Sequence, residues 1–186
     1  MRNSVLYIIV LLFFVSCKKP EARRPITHSS GTFIKESAAR NKEIFRQEEA
    51  LFKKIIENDT LHNYHTSNKG FWYHYVKKDT ISFRTPKIGD TVVFIYNIKH
   101  LDDTVILSEK EIGTQHYIVD KTNQDLISGI RDGIKLMKEG EVVTFLFPSY
   151  KAYGYYGIEN KLGTNVPIKS TVTLLSISQK QENKQL

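Results

Sequence analysis

Cysteine is almost missing from this sequence, since Cys17 is the only one in the chain. A single cysteine cannot close an internal disulfide, so the fold must be held together by its core. A glycine-rich phosphate loop, a nucleophile elbow and a zinc signature are also missing. His62 and His65 have the spacing of a metal-binding pair, but no third ligand is apparent, and polar loop residues are the better interpretation. We therefore expect neither a metal nor any other cofactor.

Acidic residues are fewer than basic ones, 20 against 27, which gives a formal net charge of +7. Such an excess can indicate binding to nucleic acid or to an anionic membrane surface. The basic residues are spread along the chain, apart from the group Lys18, Lys19, Arg23 and Arg24. Because neither a dense basic helix nor a nucleic-acid-binding motif occurs, nucleic acid is not an expected partner.

The longest apolar run, from Val5 to Val15, is too short to cross a bilayer, for which a helix needs roughly 20 residues. It is typical of the apolar segment of a signal peptide. Ser16 and Cys17 follow it directly, and a small residue before a cysteine at this place resembles a bacterial lipobox. The resemblance implies a lipoprotein signal peptide over residues 1–16 and lipidation of Cys17. An uncleaved membrane anchor and a cleaved signal without lipid are the alternatives.

The next segment, residues 17–33, contains prolines, charges and a Ser-Ser-Gly sequence, which predicts a flexible tether. Residues 34–60 are predicted to form an N-terminal helix, because Ile34 to Asn58 has no glycine or proline. Its apolar residues lie at roughly helical spacing: Ala38, Phe45, Phe52 and Ile55 or Ile56. This face could pack on the chain's own domain, bind a partner or a second copy, or be solvated as a spacer.

From Gly70 onward the apolar period shortens to that of β-strands. Alternation predicts that Val92, Phe94, Tyr96 and Ile98 share one face of a strand. Other expected strands are Phe71–Val76, Thr80–Phe83, Thr104–Leu107, Gln115–Val119, Val143–Phe147 and Thr171–Ile177.

One short helix interrupts these strands, predicted from Gln124 to Met137 with Asn123 as its cap. A long loop rich in glycine and tyrosine runs from Ser149 to Ser170, and loops of this length are usually functional. The expected fold class is α+β: a curved antiparallel sheet with one short helix on its concave face, preceded by a separate N-terminal helix. Its domain is expected over residues 70–180.

Three motifs within residues 89–179 resemble the FKBP-type peptidyl-prolyl isomerases. They are GDTVVFIY (Gly89 to Tyr96), LISGIRDGIKLMKEG (Leu126 to Gly140) and PSYKAYG (Pro148 to Gly154). The lipobox, the N-terminal helix and the YKAYGYYG string are most similar to the gliding-motility-associated FKBP-like lipoproteins of the Bacteroidetes.

The resemblance implies a pocket between helix and sheet that accepts a proline ring. Tyr96, the backbone N–H of Ile127 and the hydroxyl of Tyr153 are the implied catalytic groups. The implied substrate-binding residues are Ile106, Leu107, Tyr117, Leu126, Ile130, Val166 and Leu174. Two positions depart from the family pattern: Ile106-Leu107 replaces a Phe-Asp pair, which removes the pocket carboxylate, and Ile130 replaces a tryptophan.

Two functions are consistent with these residues. The first is isomerisation of proline peptides in exported proteins at the cell envelope, with a lipid anchor in the membrane, in support of gliding motility. The second is a catalytically silent FKBP-like chaperone or binding module, which Leu107 and Ile130 favour. We expect the outer membrane, facing the periplasm, because Lys18 and Lys19 do not resemble an inner-membrane retention signal. A homodimer through residues 34–58 is a further expectation.

Overall fold

The computed structural model describes residues 30–81, 83–121 and 125–179 of the chain. The chain divides into two units, Met1–Ala38 and Ala39–Leu186. In the first unit only the opening turns of a helix are described, whereas the second contains the rest of that helix and the sheet. The predicted signal peptide, Cys17 and most of the predicted tether lie outside the described residues. None of the described helices is both long enough and apolar enough to span a membrane.

The described elements follow one another in an order typical of a small α+β domain. They are α1 (Ser30–Asn58), β1 (His65–Thr66), β2 (Trp72–Lys77), β3 (Thr91–Tyr96), β4 (Ile98–Lys99), β5 (Val105–Leu107), α2 (Glu109–Ile112), β6 (Gln115–Ile118), α3 (Ser128–Ile134), β7 (Val142–Phe147), a 3₁₀ helix (Ser149–Lys151) and β8 (Ile168–Ser178).

The described strands form one 8-stranded antiparallel sheet, in the order β1-β2-β7-β8-β3-β6, while β4 pairs with both β5 and β8. Neighbours in the sheet are distant in sequence, since β3 pairs with β8 and β2 with β7. The predicted fold class is confirmed: an N-terminal helix, an open curved antiparallel sheet and a short helix against it.

Alternation along the strands fixes which side chains enter the core. On β3 and β4, Val92, Phe94, Tyr96 and Ile98 are all buried, as predicted from their spacing. β7 contributes the stacked rings of Phe145 and Phe147, whose centroids are 5.2 Å apart. Burial of aromatic and branched side chains on one face is the main stabilising contribution to such a sheet.

Helix α3 packs closely against β7 because glycines face the phenylalanine rings. A Cβ atom on Gly129 would lie 2.6 Å from the ring of Phe147, and one on Gly133 would lie 2.9 Å from the ring of Phe145. Ile130 and Ile134 of the same helix are fully buried. The sheet and α3 therefore share one apolar core, in which substitution of either glycine would force them apart.

Several predicted boundaries were wrong. The predicted helix Gln124–Met137 is α3, Ser128–Ile134, with Ile127 at its N-cap and extended at ψ 145; Asn123 and Gln124 are outside the described residues. The helix is short because residues 135–140 turn to bring Val142 into β7. The predicted strand Thr80–Phe83 was also wrong, since Thr80 and Ile81 lie in a bend and Phe83 is 93% exposed.

Helix α1 packs on the sheet domain through its second half. Phe52 is fully buried, with its ring centroid 5.0 Å from that of Trp72. Phe45 contacts Tyr150 edge-on at 5.7 Å. Of the alternatives for this helix, packing on its own domain is therefore the one observed for these residues, whereas Ala38 is exposed.

Candidate functional site

The residues predicted to line a pocket all belong to the apolar cluster between α3 and the sheet. Buried members are Tyr96, Ile106, Tyr117, Ile130 and Leu174; partly buried members are Leu107, Leu126, Ile127, Tyr153 and Val166. Partial burial is what a pocket lining requires, because such residues have one side against the core and one toward a ligand.

Tyr96 lies close enough to Tyr153 to influence its ionisation. Tyr96 ends β3 and is only 8% exposed, and burial raises the pKa of its hydroxyl. Burial, and next to it the proximity of Tyr96, raises the pKa of Tyr153 to about 12. Both phenols therefore remain protonated throughout the physiological pH range and can donate hydrogen bonds.

The two hydroxyls have no hydrogen-bond partner within the described part of the domain. Neither of them bonds to another residue of ranges 30–81, 83–121 and 125–179. Other tyrosines do have partners: the Tyr117 oxygen accepts the Asp120 N–H at 3.0 Å, and Tyr150 donates to the Gly70 carbonyl at 3.1 Å. Both hydroxyls are therefore open to a hydrogen bond with a bound ligand or with water.

Ile127 offers a third donor at the start of α3. Its carbonyl accepts the Arg131 N–H at 3.2 Å, but its own N–H donates to none of the residues that the structure describes. A helix leaves its first N–H groups without intrahelical partners, so this N–H can meet a carbonyl of a bound chain.

The rim between β6 and α3 holds two further predicted residues. Tyr117 and Leu126 line a cavity of about 390 Å³ together with Thr91, Gln115, His116, Ile118 and Asp125. Tyr117 is nearly buried, whereas Leu126 keeps partial exposure. The two side chains therefore form an apolar edge beside the N-terminus of α3.

Comparison with known proteins identifies the fold's family. Residues 83–175, half of the chain, match the family model described as FKBP-type peptidyl-prolyl cis-trans isomerase. The chain belongs to this family. A probable FKBP-type peptidyl-prolyl cis-trans isomerase of Neisseria meningitidis serogroup B, FkpA, is 32% identical over 143 residues, or 77% of the chain. The chain spans about half the length of that curated relative, 48%.

Two solved structures share the fold. The crystal structure of FkpA from Escherichia coli has a TM-score of 0.57 and 22% identity, and the match covers 96% of this chain and 83% of that one. A peptidyl-prolyl cis-trans isomerase from Pseudomonas syringae pv. tomato has a TM-score of 0.56 and 17% identity, with 74% of this chain and 96% of that one covered. At these identities the likeness concerns the fold alone.

Both positions where this chain departs from the family pattern carry apolar side chains of the cluster. Ile106 is 7% exposed and Leu107 partly buried on β5. Leucine at position 107 supplies no carboxylate to the cluster. Ile130 is fully buried. The candidate pocket is thus less polar than the family pattern implies.

The loop that carries Tyr153 is tied to α3 through Lys151. The Lys151 ammonium lies 2.8 Å from the Asp132 carboxylate, and the Ser128 hydroxyl donates to the Lys151 carbonyl at 3.3 Å. The sequence did not single out these residues, because an ion pair between two separate motifs has no local signature. Both charged groups are partly shielded from water, so salt screens this pair less than one on the surface.

A second missed residue is Glu48 of α1, which is 5% exposed and whose Oε2 accepts the Ser149 N–H at 3.1 Å. A signal for it was present. Glu48 lies between Phe45 and Phe52 at spacings of three and four, so it falls on the apolar face of the helix. A carboxylate at such a position predicts a buried partner.

Of the two histidines predicted as polar loop residues, His62 lies in a polar cluster, whereas His65 lies in β1. The Nδ1 of His62 lies 2.8 Å from the Asp59 carboxylate, and the His62 ring is 4.1 Å from the ring of His74. His65 instead packs against Tyr73 at 5.4 Å. The two histidines of the H-x-x-H motif therefore serve different contacts, and among the described residues no group of three or more metal-binding side chains is found.

Proposed function

We propose that this protein is a peptidyl-prolyl cis-trans isomerase that acts on proline-containing segments of exported proteins at the cell envelope. The observation that carries the proposal is that Tyr96, Tyr153 and Ile127 belong to one apolar cluster, while the two hydroxyls and the Ile127 N–H have no hydrogen-bond partner among the described residues. Family membership supports the same reaction.

The chemistry needs neither a nucleophile nor a metal. Rotation about a peptide bond has a barrier of about 18–20 kcal/mol, because the planar amide loses resonance as it twists. A dry pocket favours the twisted amide, which is less polar than the planar one. Fixed donors from Ile127 and Tyr153 then hold the flanking carbonyls while the imide turns. Each 1.4 kcal/mol of preferential binding to the twisted state raises the rate about tenfold.

Tyr153→Phe tests the proposal. We expect the purified protein to accelerate a proline-limited refolding reaction, and the variant to lose about five- to tenfold in kcat/KM, because one hydrogen bond contributes roughly 1 kcal/mol. Tyr156→Phe is the matched control, since Tyr156 is 92% exposed in the same loop. The proposal fails if the wild-type protein gives no acceleration, or if both variants equal it.

A catalytically silent FKBP-like chaperone or binding module is the second candidate. The apolar pair Ile106-Leu107 and the smaller floor residue Ile130 favour it, because they change the pocket's polarity and depth. The two candidates differ in one measurement. A silent module binds a proline peptide and leaves its isomerisation rate unchanged. An isomerase accelerates the exchange between the cis and trans forms of the peptide, which broadens their NMR signals.

The envelope location rests on the lipobox-like sequence at Cys17, which is outside the described residues. We propose a lipid anchor at Cys17 in the outer membrane, facing the periplasm. Two or more acyl chains suffice for stable anchoring. Cys17→Ala should release the protein from the membrane fraction and lower its mass by the lipid. A supporting role in gliding motility is part of this proposal, and deletion of the gene tests it directly.

We also propose that residues 34–58 mediate a homodimer. Leu51, in the half of α1 that packs on the sheet domain, keeps 43% of its surface exposed. Ile34, near the start of the helix, is 61% exposed. Sedimentation equilibrium decides this: a dimer that Ile34→Ser dissociates supports the proposal, and a monomeric wild-type protein contradicts it.

A further inference from the structure

Helix α1 reaches the loop that carries Tyr153 through one buried carboxylate. Glu48 Oε2 accepts the backbone N–H of Ser149 at 3.1 Å, across 101 residues of sequence. Ser149 is itself only 3% exposed. Contact between an N-terminal helix and the second residue after β7 is not required for the sheet to form, so it calls for a separate explanation.

The Ser149 peptide organises the turn that follows it. Its N–H belongs to the same peptide unit as the Pro148 carbonyl, which accepts the N–H groups of Lys151 at 2.9 Å and Ala152 at 3.2 Å. The Ser149 carbonyl accepts the N–H groups of Ala152 at 3.0 Å and Gly154 at 2.9 Å. Hydrogen bonds in such chains polarise one another. Ala152, on one side of Tyr153, is therefore bonded to the peptide that Glu48 holds, and Gly154, on the other side, is bonded to the next peptide along the chain.

Open space remains between α1 and this turn. A cavity of about 490 Å³ lies there, with Phe45 and Glu48 of α1 on one side and Ser149, Tyr150 and Gly154 on the other. Across it, Phe45 meets Tyr150 edge-on at 5.7 Å. Because packing is incomplete here, the turn depends on the Glu48–Ser149 hydrogen bond more than it would in a filled interface.

Burial of the Glu48 carboxylate is energetically unfavourable. Glu48 Oε1 is buried and accepts no hydrogen bond from the described residues, and burial raises the pKa of Glu48. Removing a carboxylate from water for hydrogen bonds to one residue, Ser149, is unfavourable, and an apolar side chain would suit the site better for stability alone. A residue that breaks a local packing rule in this way is expected to serve function.

We propose that Glu48 is a positioning residue for Tyr153. It holds the Ser149 peptide so that the turn places the Tyr153 hydroxyl beside Tyr96, which makes α1 a part of the prolyl isomerase site. This inference rests on the proposed function. It assigns to the N-terminal helix a role that neither dimerisation nor anchoring requires.

Three variants test it. Glu48→Leu removes the acceptor and fills the apolar site, so it folds without leaving a buried charge. Glu48→Gln keeps an amide oxygen that accepts the Ser149 N–H. Glu49→Ala is the matched control, because Glu49 is the adjacent, exposed residue of the same helix. We expect Glu48→Leu to lower kcat about fivefold or more, with KM changed less than twofold, while Glu48→Gln and Glu49→Ala stay within twofold of wild type.

A double-mutant cycle separates positioning from general structural damage. In the Tyr153→Phe background, Glu48→Leu should have no further effect on kcat, since both changes disable the same hydroxyl. Full additivity of the two losses would overturn the proposal. So would wild-type kinetics in Glu48→Leu.

Amide exchange gives a readout that does not depend on activity. In Glu48→Leu the N–H groups of Ala152 and Gly154 should exchange at least tenfold faster, while those of β7 and β8 keep wild-type protection. Unchanged exchange at Ala152 and Gly154 contradicts the positioning role even if the protein is not an isomerase. Conversely, faster exchange together with an inactive wild-type protein would reject the proposed function and retain the structural tie.

Discussion

The two sides of the candidate pocket are held in different ways. We define the sheet wall as Tyr96, Ile106 and Leu174, and the loop wall as Tyr153 and Val166. The sheet wall lies in paired strands: β3 has neighbours on both sides, and Phe94 stands opposite Leu174 on β8. The loop wall is held by a few hydrogen bonds, such as the one from the Asn165 N–H to the Gly154 carbonyl at 2.7 Å.

This difference separates stability from activity. Side chains of the sheet wall are almost wholly buried and belong to the core of the fold, so changes there act mainly on the free energy of unfolding. The loop wall is only partly buried, so its residues contribute less apolar burial than those of the sheet wall. Changes in the loop wall should therefore act mainly on the turnover of proline peptides.

The largest expected effect is at Leu174. Leu174→Ala should lower the free energy of unfolding by about 2–5 kcal/mol, because the side chain is fully buried and leaves a cavity. Val166→Ala, on the partly exposed loop wall, should cost less than about 1 kcal/mol. Urea denaturation of the two variants measures both values. Equal losses would mean that the two walls do not differ in the way described.

A smaller effect is expected at Gly157 in the loop. Its φ is +62, and a Cβ atom there would collide with the Leu162 carbonyl oxygen. Gly157→Ala should therefore strain the loop by about 1–2 kcal/mol and lower kcat/KM severalfold, while the melting temperature of the sheet changes little. Gly163→Ala is the control, since a Cβ there meets Val166 at an ordinary 3.7 Å. Identical kinetics for the two variants would contradict this prediction.

The smallest effect concerns alkaline pH. The pKa of Tyr153 is raised to about 12 in the folded protein, above the value of about 10 for an unfolded tyrosine. The contribution of the neutral Tyr153 hydroxyl to the free energy of unfolding is therefore fully present below pH 10 and is lost as the pH rises toward 12. Between these pH values the free energy of unfolding of Tyr153→Phe should fall less steeply with pH than that of wild type, as followed by circular dichroism. Parallel curves would show that the hydroxyl is not buried as described.

Strands were predictable because their signal is local. Alternation from Val92 to Ile98 gave both the strand and its buried face, and the fold class followed from the order of such segments. The start of α3 was not predictable, because its N-cap Ile127 offers no side-chain hydrogen bond of the kind that marks helix termini.

Contacts between distant segments of the chain could not be predicted from the sequence. The tie between Lys151 and Asp132 depends on the loop returning to α3, and the tie between Glu48 and Ser149 depends on α1 meeting the end of β7. Only their polarity, not their partners, can be read along the chain. The candidate pocket residues were found through the family resemblance, since an apolar side chain in a pocket has the same pattern as one in the core.

The strand order has a consequence for how the pocket comes into being. Tyr96 pairs with Val172, and Leu174 follows on the same strand, so one rim of the cavity comes from the middle of the chain and the other from near its end. Strands that are distant in sequence must close large loops before their pairing stabilises the fold, and the entropy cost of closure slows folding. The candidate pocket is thus complete only once β8 has paired with β3, so the protein could not assist its own early folding.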